Sequence, residues 1–183
     1  MAPAGIGDSL EGVHAVSAAL AAGRVRSMSV EKQRLRHEDL KELVANARNA
    51  GVRVELVNDV RPQAATSAPQ GVVARAAPIP LLTLDETANR SDPAAVLVLD
   101  HLEDPRNVGA VARSALAAGV RAMVVSGRRA APLGPTAFKT AAGALEHVGV
   151  AVVSSVADAV ARLAKRGLWI VGLDGDAERS LFG

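Results

Sequence analysis

Residues 100 to 120 read DHLEDPRNVGAVARSALAAGV, and four side chains among them are equipped for chemistry: Asp100, His101, Asn107 and Arg113. A carboxamide donates and accepts at once, and a guanidinium presents a planar fork that matches phosphate. At the start of a helix, where unpaired N–H groups favour an anion, such a pair suits a phosphate. Arg113 lies six residues after Asn107, so the two do not share a helical face. They can converge if Asn107 projects from the cap and the arginine folds back toward the N-terminus, as helical side chains do. In the plainer alternative, Asn107 only caps the helix, Gly109 and Ala112 are small because the helix packs tightly on a sheet, and Arg113 is solvated. A dinucleotide site is weaker still, because NVGAVA is not G-x-G-x-x-G.

The elements that must position these residues follow from the pattern. AAVLVLD, ending at Asp100, is a continuous apolar run between Pro93 and polar residues, as expected of a strand covered on both faces. RAMVVSG, HVGVAVVSS and LWIVGLD repeat it, with helical stretches at 107–118, about 135–146 and 155–166 between them. Strands alternating with helices predict a parallel α/β sheet with right-handed crossovers. Chemistry in such sheets sits beyond the carboxyl ends of the strands, which would gather Asp100, Ser126 to Arg129, and Gly172 to Asp174 on one rim. Upstream, EGVHAVSAALAA reads as a helix stopped by Gly23, SMSVEKQ as a strand, HEDLKELVANARNA as an amphipathic helix, and VRVELVN and QGVVARAA as strands. These form a small α/β domain over residues 1–77. PIPLLTLDETANRSDP, with three prolines and no sustained period, predicts a linker over 78–93 holding at most one short helix. The larger domain then covers 94–183.

Composition narrows the partners. The chain of 183 residues has no cysteine, which removes disulfides, thiolate catalysis and sulfur-ligated metals. Without an apolar run near membrane-spanning length or a secretory leader pattern, a cytoplasmic protein with no membrane partner is expected. The net charge is only +2, but 17 arginines against 4 lysines make nucleic acid a plausible partner, a genome rich in G and C being the rival explanation. Three aromatics (Phe138, Trp169, Phe182) disfavour a base-stacking platform. GRVRSMSVEKQRLRH holds five basic residues against one acid, so Arg24, Arg26, Arg34 and Arg36 predict a nucleic-acid-facing surface on the small domain.

The order of residues in D-x-x-x-D-P-R-N-V-G-A-V-A-R-S-A-x-A-A-G-V resembles the first motif of the SpoU family of RNA ribose 2′-O-methyltransferases. KTAAGALEHVGVAVV (139–153) and WIVGLDGDAERSL (169–181) extend the resemblance, and EGVHAVSAALAAG with QGVVARAAP is similar to the small RNA-binding domain of its bacterial members. The nearest type is the one that methylates a guanosine of large-subunit rRNA, a tRNA ribose methyltransferase being a variant of the same reading. The resemblance implies an L30e-like domain followed by a catalytic domain of trefoil-knot type, S-adenosylmethionine as methyl donor, RNA as substrate and a homodimer. It implies Asn107 and Arg113 as catalytic residues, Gly172, Leu173 and Asp174 as one wall of the donor site, and no metal. Members continue with G-S-E-G and S-L-N-V-S motifs that do not occur in these 183 residues, so the chain by itself is expected to stop before the knot and to bind the donor weakly or not at all.

Methyl transfer from a sulfonium to a ribose hydroxyl needs no acid for the leaving group, which departs as a neutral thioether. It needs in-line positioning and removal of the hydroxyl proton. Arg106, Arg128 and Arg129 suit phosphate contacts near that reaction, with a plain solvated loop as the alternative for the last two. Glu146 reads as a helix-terminal carboxylate in an ordinary salt bridge or as an arginine-orienting group. His101 and His147 lack a paired acid at metal or triad spacing, and His14 has packing as its default. A non-catalytic RNA-binding protein of the same two domains, or a nucleotide-binding α/β module, are the readings from other classes.

Overall fold

The computed structural model describes residues 5–90, 95–127, 133–174, 176–178 and 180. Its N-terminal unit runs β1 (Ser9–Glu11), α1 (Val13–Ala21), β2 (Val25–Glu31), α2 (Glu38–Asn49), β3 (Arg53–Val57) and β4 (Val72–Ala76), with the strands ordered β1-β4-β2-β3. β2 and β3 are parallel, whereas β4 runs antiparallel to both β1 and β2. β1 lies just before the predicted first helix and takes its first residue, Glu11. Leu10 and Glu11 are fully buried, and Gly12, at φ +85°, separates strand from helix. Three residues are too few to show a period, so only pairing with β4 reveals the strand.

The second unit is a parallel sheet in the order β5 (Val96–Leu99), β6 (Ala122–Ser126), β7 (Gly149–Val153), connected by α4 (Pro105–Ala117) and α5 (Pro135–Ala141), with α6 (Val156–Lys165) after β7. β6 lies between two neighbours and is buried through Val125. β5, predicted to be covered on both faces, is only half-buried, because it pairs on one side alone among the described residues. LWIVGLD, predicted as a fourth strand, forms none: Trp169 is 96% exposed and Val171 and Leu173 are mostly exposed. An apolar run becomes a strand only where a sheet edge accepts its N–H and C=O groups, and no such edge receives this segment here.

The segment predicted as a linker is strapped down over much of its length. Ile79 donates to Ile6 O, Leu82 donates to Val150 O, and Leu81 bridges to Val150 beside β7. The short helix α3 (Leu84–Thr87) starts in a reciprocal capping box between Thr83 and Glu86. Its Leu84, with Ala88, joins Val124, Ala151, Ala159 and Leu163 in a small apolar cluster. Asp85 on α3 meets Arg166 at 2.8 Å just past α6.

The two units share a core. Phe138 of α5 is 2% exposed and stands over Gly7, where a side chain would come within 2.5 Å of its ring. Gly143 meets Ala18 of α1 in the same way. Leu10, Val16 and Val72 therefore belong to one apolar cluster with Val108, Ala137, Phe138 and Val148.

Gly109 explains why α4 is built from small residues. A Cβ there would lie 2.4 Å from Ala137 O and 2.8 Å from Ala141 N, so α4 crosses α5 backbone to backbone. The close partner of this face is thus a helix rather than the sheet alone. Glycine to alanine in a helix ordinarily stabilises by about 0.5–1 kcal/mol. Gly109→Ala is instead expected to destabilise by about 1–3 kcal/mol, because rigid backbone and not a movable side chain stands in the way. Urea unfolding measures this, and a stabilised variant would show that the helices do not touch at Gly109.

Candidate active site and RNA-facing surface

The parallel register puts the carboxyl ends of β5, β6 and β7 on one edge, where Asp100, Gly127 and Ser154 follow them. Gly127 N–H donates to Val153 O at 2.8 Å and ties two of these ends together. Asp100 leads into His101, whose backbone turns left-handed at φ +52°. His101 Nδ1 lies 2.8 Å from Asp100 Oδ1, an exposed pair that the sequence reading passed over by seeking partners at longer spacing.

The chain then enters α4 through Asp104, not Asn107. The Asp104 carboxylate accepts from Arg106 N–H at 2.8 Å, and Pro105 occupies the first helical position, where no N–H is needed. Arg106 also closes a fork on Asp104, with Nη2 at 3.0 Å from Oδ2. That side-chain hydrogen bond, joined by the backbone one, holds the Asp104 carboxyl below the usual carboxylate range and raises the Arg106 guanidinium. With Asp104 as the cap, Asn107 is released from capping. It sits at the third helical position, exposed, and Arg113 is exposed six residues on. The buried stripe Val108, Gly109, Ala112 and Ala115 faces away, so both reach solvent, but Asp104 holds the cap and the six-residue spacing leaves them on different faces of α4. The side chains of Asn107 and Arg113 have no hydrogen-bond or ion-pair partner among the described residues.

Gly172, Leu173 and Asp174 are not brought to this rim by a strand. They stand exposed, and a Cβ at Gly172 would meet nothing within 4 Å. Arg128 and Arg129 lie outside the described residues.

On the N-terminal unit the predicted basic surface divides. Arg26 and Arg36 are exposed and Arg34 is half-buried. Arg24 is a correction: its Nε donates to Glu146 Oε2 at 2.7 Å, its Nη2 reaches Glu146 Oε1, and its Nη1 donates to Gly7 O at 3.1 Å and to Ala77 O. The two side chains are 10% and 2% exposed, so Arg24 joins the units and does not face RNA. Glu146 is correspondingly a buried arginine partner and no ordinary surface carboxylate. The sequence reading also missed Arg53 and Arg75, exposed residues on β3 and β4 that both register with Ser27 of β2. They form a basic row visible only once β3 and β4 are laid on either side of β2. His14, expected to pack, is exposed at the start of α1.

Profile comparison decides the family. Residues 94–181 match the SpoU rRNA Methylase family, and residues 9–82 match the family described as RNA 2′-O ribose methyltransferase substrate binding. A longer relative matches nearly the whole chain: the 23S rRNA (guanosine-2′-O-)-methyltransferase RlmB of Photobacterium profundum is 34% identical over 96% of this chain and 74% of its own. This chain belongs to the SpoU rRNA methylase family. A second SpoU relative, RlmB of Xanthomonas axonopodis pv. citri, is 36% identical over 93% of the chain and 72% of its own. Among solved structures, an RNA 2′-O ribose methyltransferase superposes with a TM-score of 0.71 at 27% identity, over 93% of this chain and 64% of that one. The SpoU methyltransferase AviRb of Streptomyces viridochromogenes, in complex with AdoMet, gives 0.66 at 24% identity and shares the fold, over 87% of this chain and 58% of that one. The chain therefore spans less than two thirds of either solved SpoU structure.

Proposed function

We propose that the chain serves S-adenosylmethionine-dependent methylation of a ribose 2′-hydroxyl in RNA, at a guanosine of large-subunit rRNA. One observation carries the reading: Asn107 and Arg113 are exposed and without side-chain partners among the described residues on the helix that follows the first strand of a parallel sheet, inside the segment that matches the SpoU rRNA Methylase family. A carboxamide and a planar guanidinium at that place can hold a ribose edge and its phosphate, and geometry is the larger part of such a transfer. The full-length protein, given labelled donor and rRNA transcripts, should place label on guanosine 2′-oxygen, seen as a nucleotide resistant to alkaline cleavage. Label on a base, or none, would overturn this reading.

A second reading, RNA binding without catalysis, rests on the match of residues 9–82 to the family described as RNA 2′-O ribose methyltransferase substrate binding. In that case RNA binding persists in the same assay while no methyl group moves.

RNA affinity is assigned to the N-terminal unit, supported by Arg26, Arg36 and the Arg53–Arg75 row. Each phosphate contact adds roughly one unit to the slope of log affinity against log salt. Arg26→Ala and Arg36→Ala are each expected to flatten that slope, whereas Arg24→Met paired with Glu146→Leu leaves it unchanged. A slope indifferent to Arg26 and Arg36 would move the surface elsewhere.

A further inference from the structure

Two clefts in the N-terminal unit meet at a common wall formed by Arg34 and Gln70. The larger, about 430 Å³, opens between the turn after β2 and the loop that leads into β4, and the smaller, about 180 Å³, reaches toward His14 and His37. The larger volume falls in the range of about 300–1,000 Å³ that small-molecule sites occupy.

The wall is constructed with some care. Gln70 has φ +60° and Gly71 φ +79°, two successive left-handed residues of which the first is not glycine. Such a backbone is sparsely populated and recurs at functional sites. Arg34 lies across Gly71, where a Cβ would come 2.9 Å from its Cγ and 3.2 Å from its Nε. Gln70 lies across Gly12, where a Cβ would come 2.7 Å from its Oε1. Two glycines thus leave room for the Arg34 and Gln70 side chains that line both clefts.

The loop beneath them is pinned from below. Glu11 is fully buried and accepts from the N–H groups of Ala65 and Thr66 and from the Thr66 hydroxyl. Gly71 O accepts from Glu31 N–H at 2.9 Å, and Lys139 donates to Ala68 O. A loop held at both ends presents its side chains in advance of any ligand.

The acids in the larger cleft are already used. Asp59 takes a fork from Arg61, which holds its carboxyl below the usual range, and Glu31 accepts from Val60 N–H at 3.3 Å. The groups left over are Gln33, Arg34, Asn58 and Gln70, whose side chains have no partner among the described residues. One cation with three amides is the chemistry of a nucleotide: amides pair with base edges, and a guanidinium takes the phosphate. A paired base has its edge occupied by its partner, so the cleft suits an unpaired one.

We propose that this cleft takes one unstacked nucleotide of the RNA, its base edge met by Gln70 and Asn58 and its phosphate held by Arg34. The proposal rests on the RNA-binding reading above and makes the N-terminal unit a selector of unpaired sequence as well as an electrostatic anchor.

Fluorescence anisotropy on the whole chain tests it, with short single-stranded homopolymers of A, C, G or U and a blunt RNA duplex as probes. Arg34→Ala should weaken the best single strand about tenfold while changing the duplex by less than about twofold, the size of one lost charge-assisted hydrogen bond. Arg34→Lys keeps the charge but loses the fork, and should recover only part of that loss. Gln70→Gly relieves the backbone while removing the amide, so it stays folded and should level the preference among the four bases. Arg36→Ala, outside the cleft, should weaken single strand and duplex alike. If Arg34→Ala and Gln70→Gly lower both probes equally and leave base preference intact, the cleft is overturned while the RNA-binding surface stands. If the unaltered chain binds neither probe, the RNA-binding reading falls and the cleft with it.

Discussion

Replacing Arg113 with alanine is expected to lower single-turnover methylation by the full-length protein about a hundredfold or more, with the unfolding midpoint unchanged. The two halves of this expectation come from one observation. Arg113 is exposed on α4 and has no hydrogen-bond or ion-pair partner among the described residues, so nothing in the fold relies on it. Arg106, seven residues earlier and thus on nearly the same side of the helix, is tied to Asp104. Arg113 is the guanidinium on that side still free to meet a phosphate. Guanidinium groups in proteins stay protonated at neutral pH, so positioning the ribose and its phosphate is the role assigned, and not proton removal. Arg113→Lys separates the two properties, because it keeps a cation and loses the planar fork. Near-normal transfer by either variant on saturating RNA would make Arg113 an ordinary surface residue.

The largest loss of stability is expected at Arg24. Arg24→Ala leaves the Glu146 carboxylate 2% exposed and without its partner, together with Gly7 and Ala77 carbonyls that had accepted from the same guanidinium. Breaking a buried pair from one side costs about 3–5 kcal/mol, whereas replacing both partners by apolar groups of similar volume is often neutral. Arg24→Met with Glu146→Leu should therefore recover most of what Arg24→Ala loses. Chemical denaturation of the three proteins measures it, and additive losses in the double variant would show that the pair itself does not join the units. RNA affinity of the double variant at fixed salt should match that of the unaltered chain, since this arginine faces the interior.

Arg24 also shows where reading a sequence by local charge breaks down. It sits in a run with Arg26, Arg34 and Arg36, and composition treats the four as equals. Burial depends on what the strand packs against, and the partner that removes Arg24 from the surface is 122 residues away. Glu11 is similar: a carboxylate beginning an apolar stretch looks like a helix start, yet it is fully buried beneath the loop it holds.

The alternation of strand and helix from Val96 to Lys165, the small α/β unit before it, and the helix start after Asp100 are all written locally. Each depends on apolar period, on proline and glycine, and on residues a few positions apart. The motif around Asn107 and Arg113 is legible for the same reason, since one helix carries all of it. What the tertiary structure decided is every feature that needs two distant segments at once. α5 and not only the sheet set the size of Gly109, and β3 met β4 across β2 to align Arg53 with Arg75. The cleft at Arg34 needs Gly71 beneath one side chain and Gly12 beneath another. The run from Trp169 to Leu173 marks the opposite limit, because its composition is that of a strand and it has no paired edge in this fold. Side-chain type sets what a segment can bury, but an N–H or C=O finds its partner only in space, and that choice is made by the whole chain.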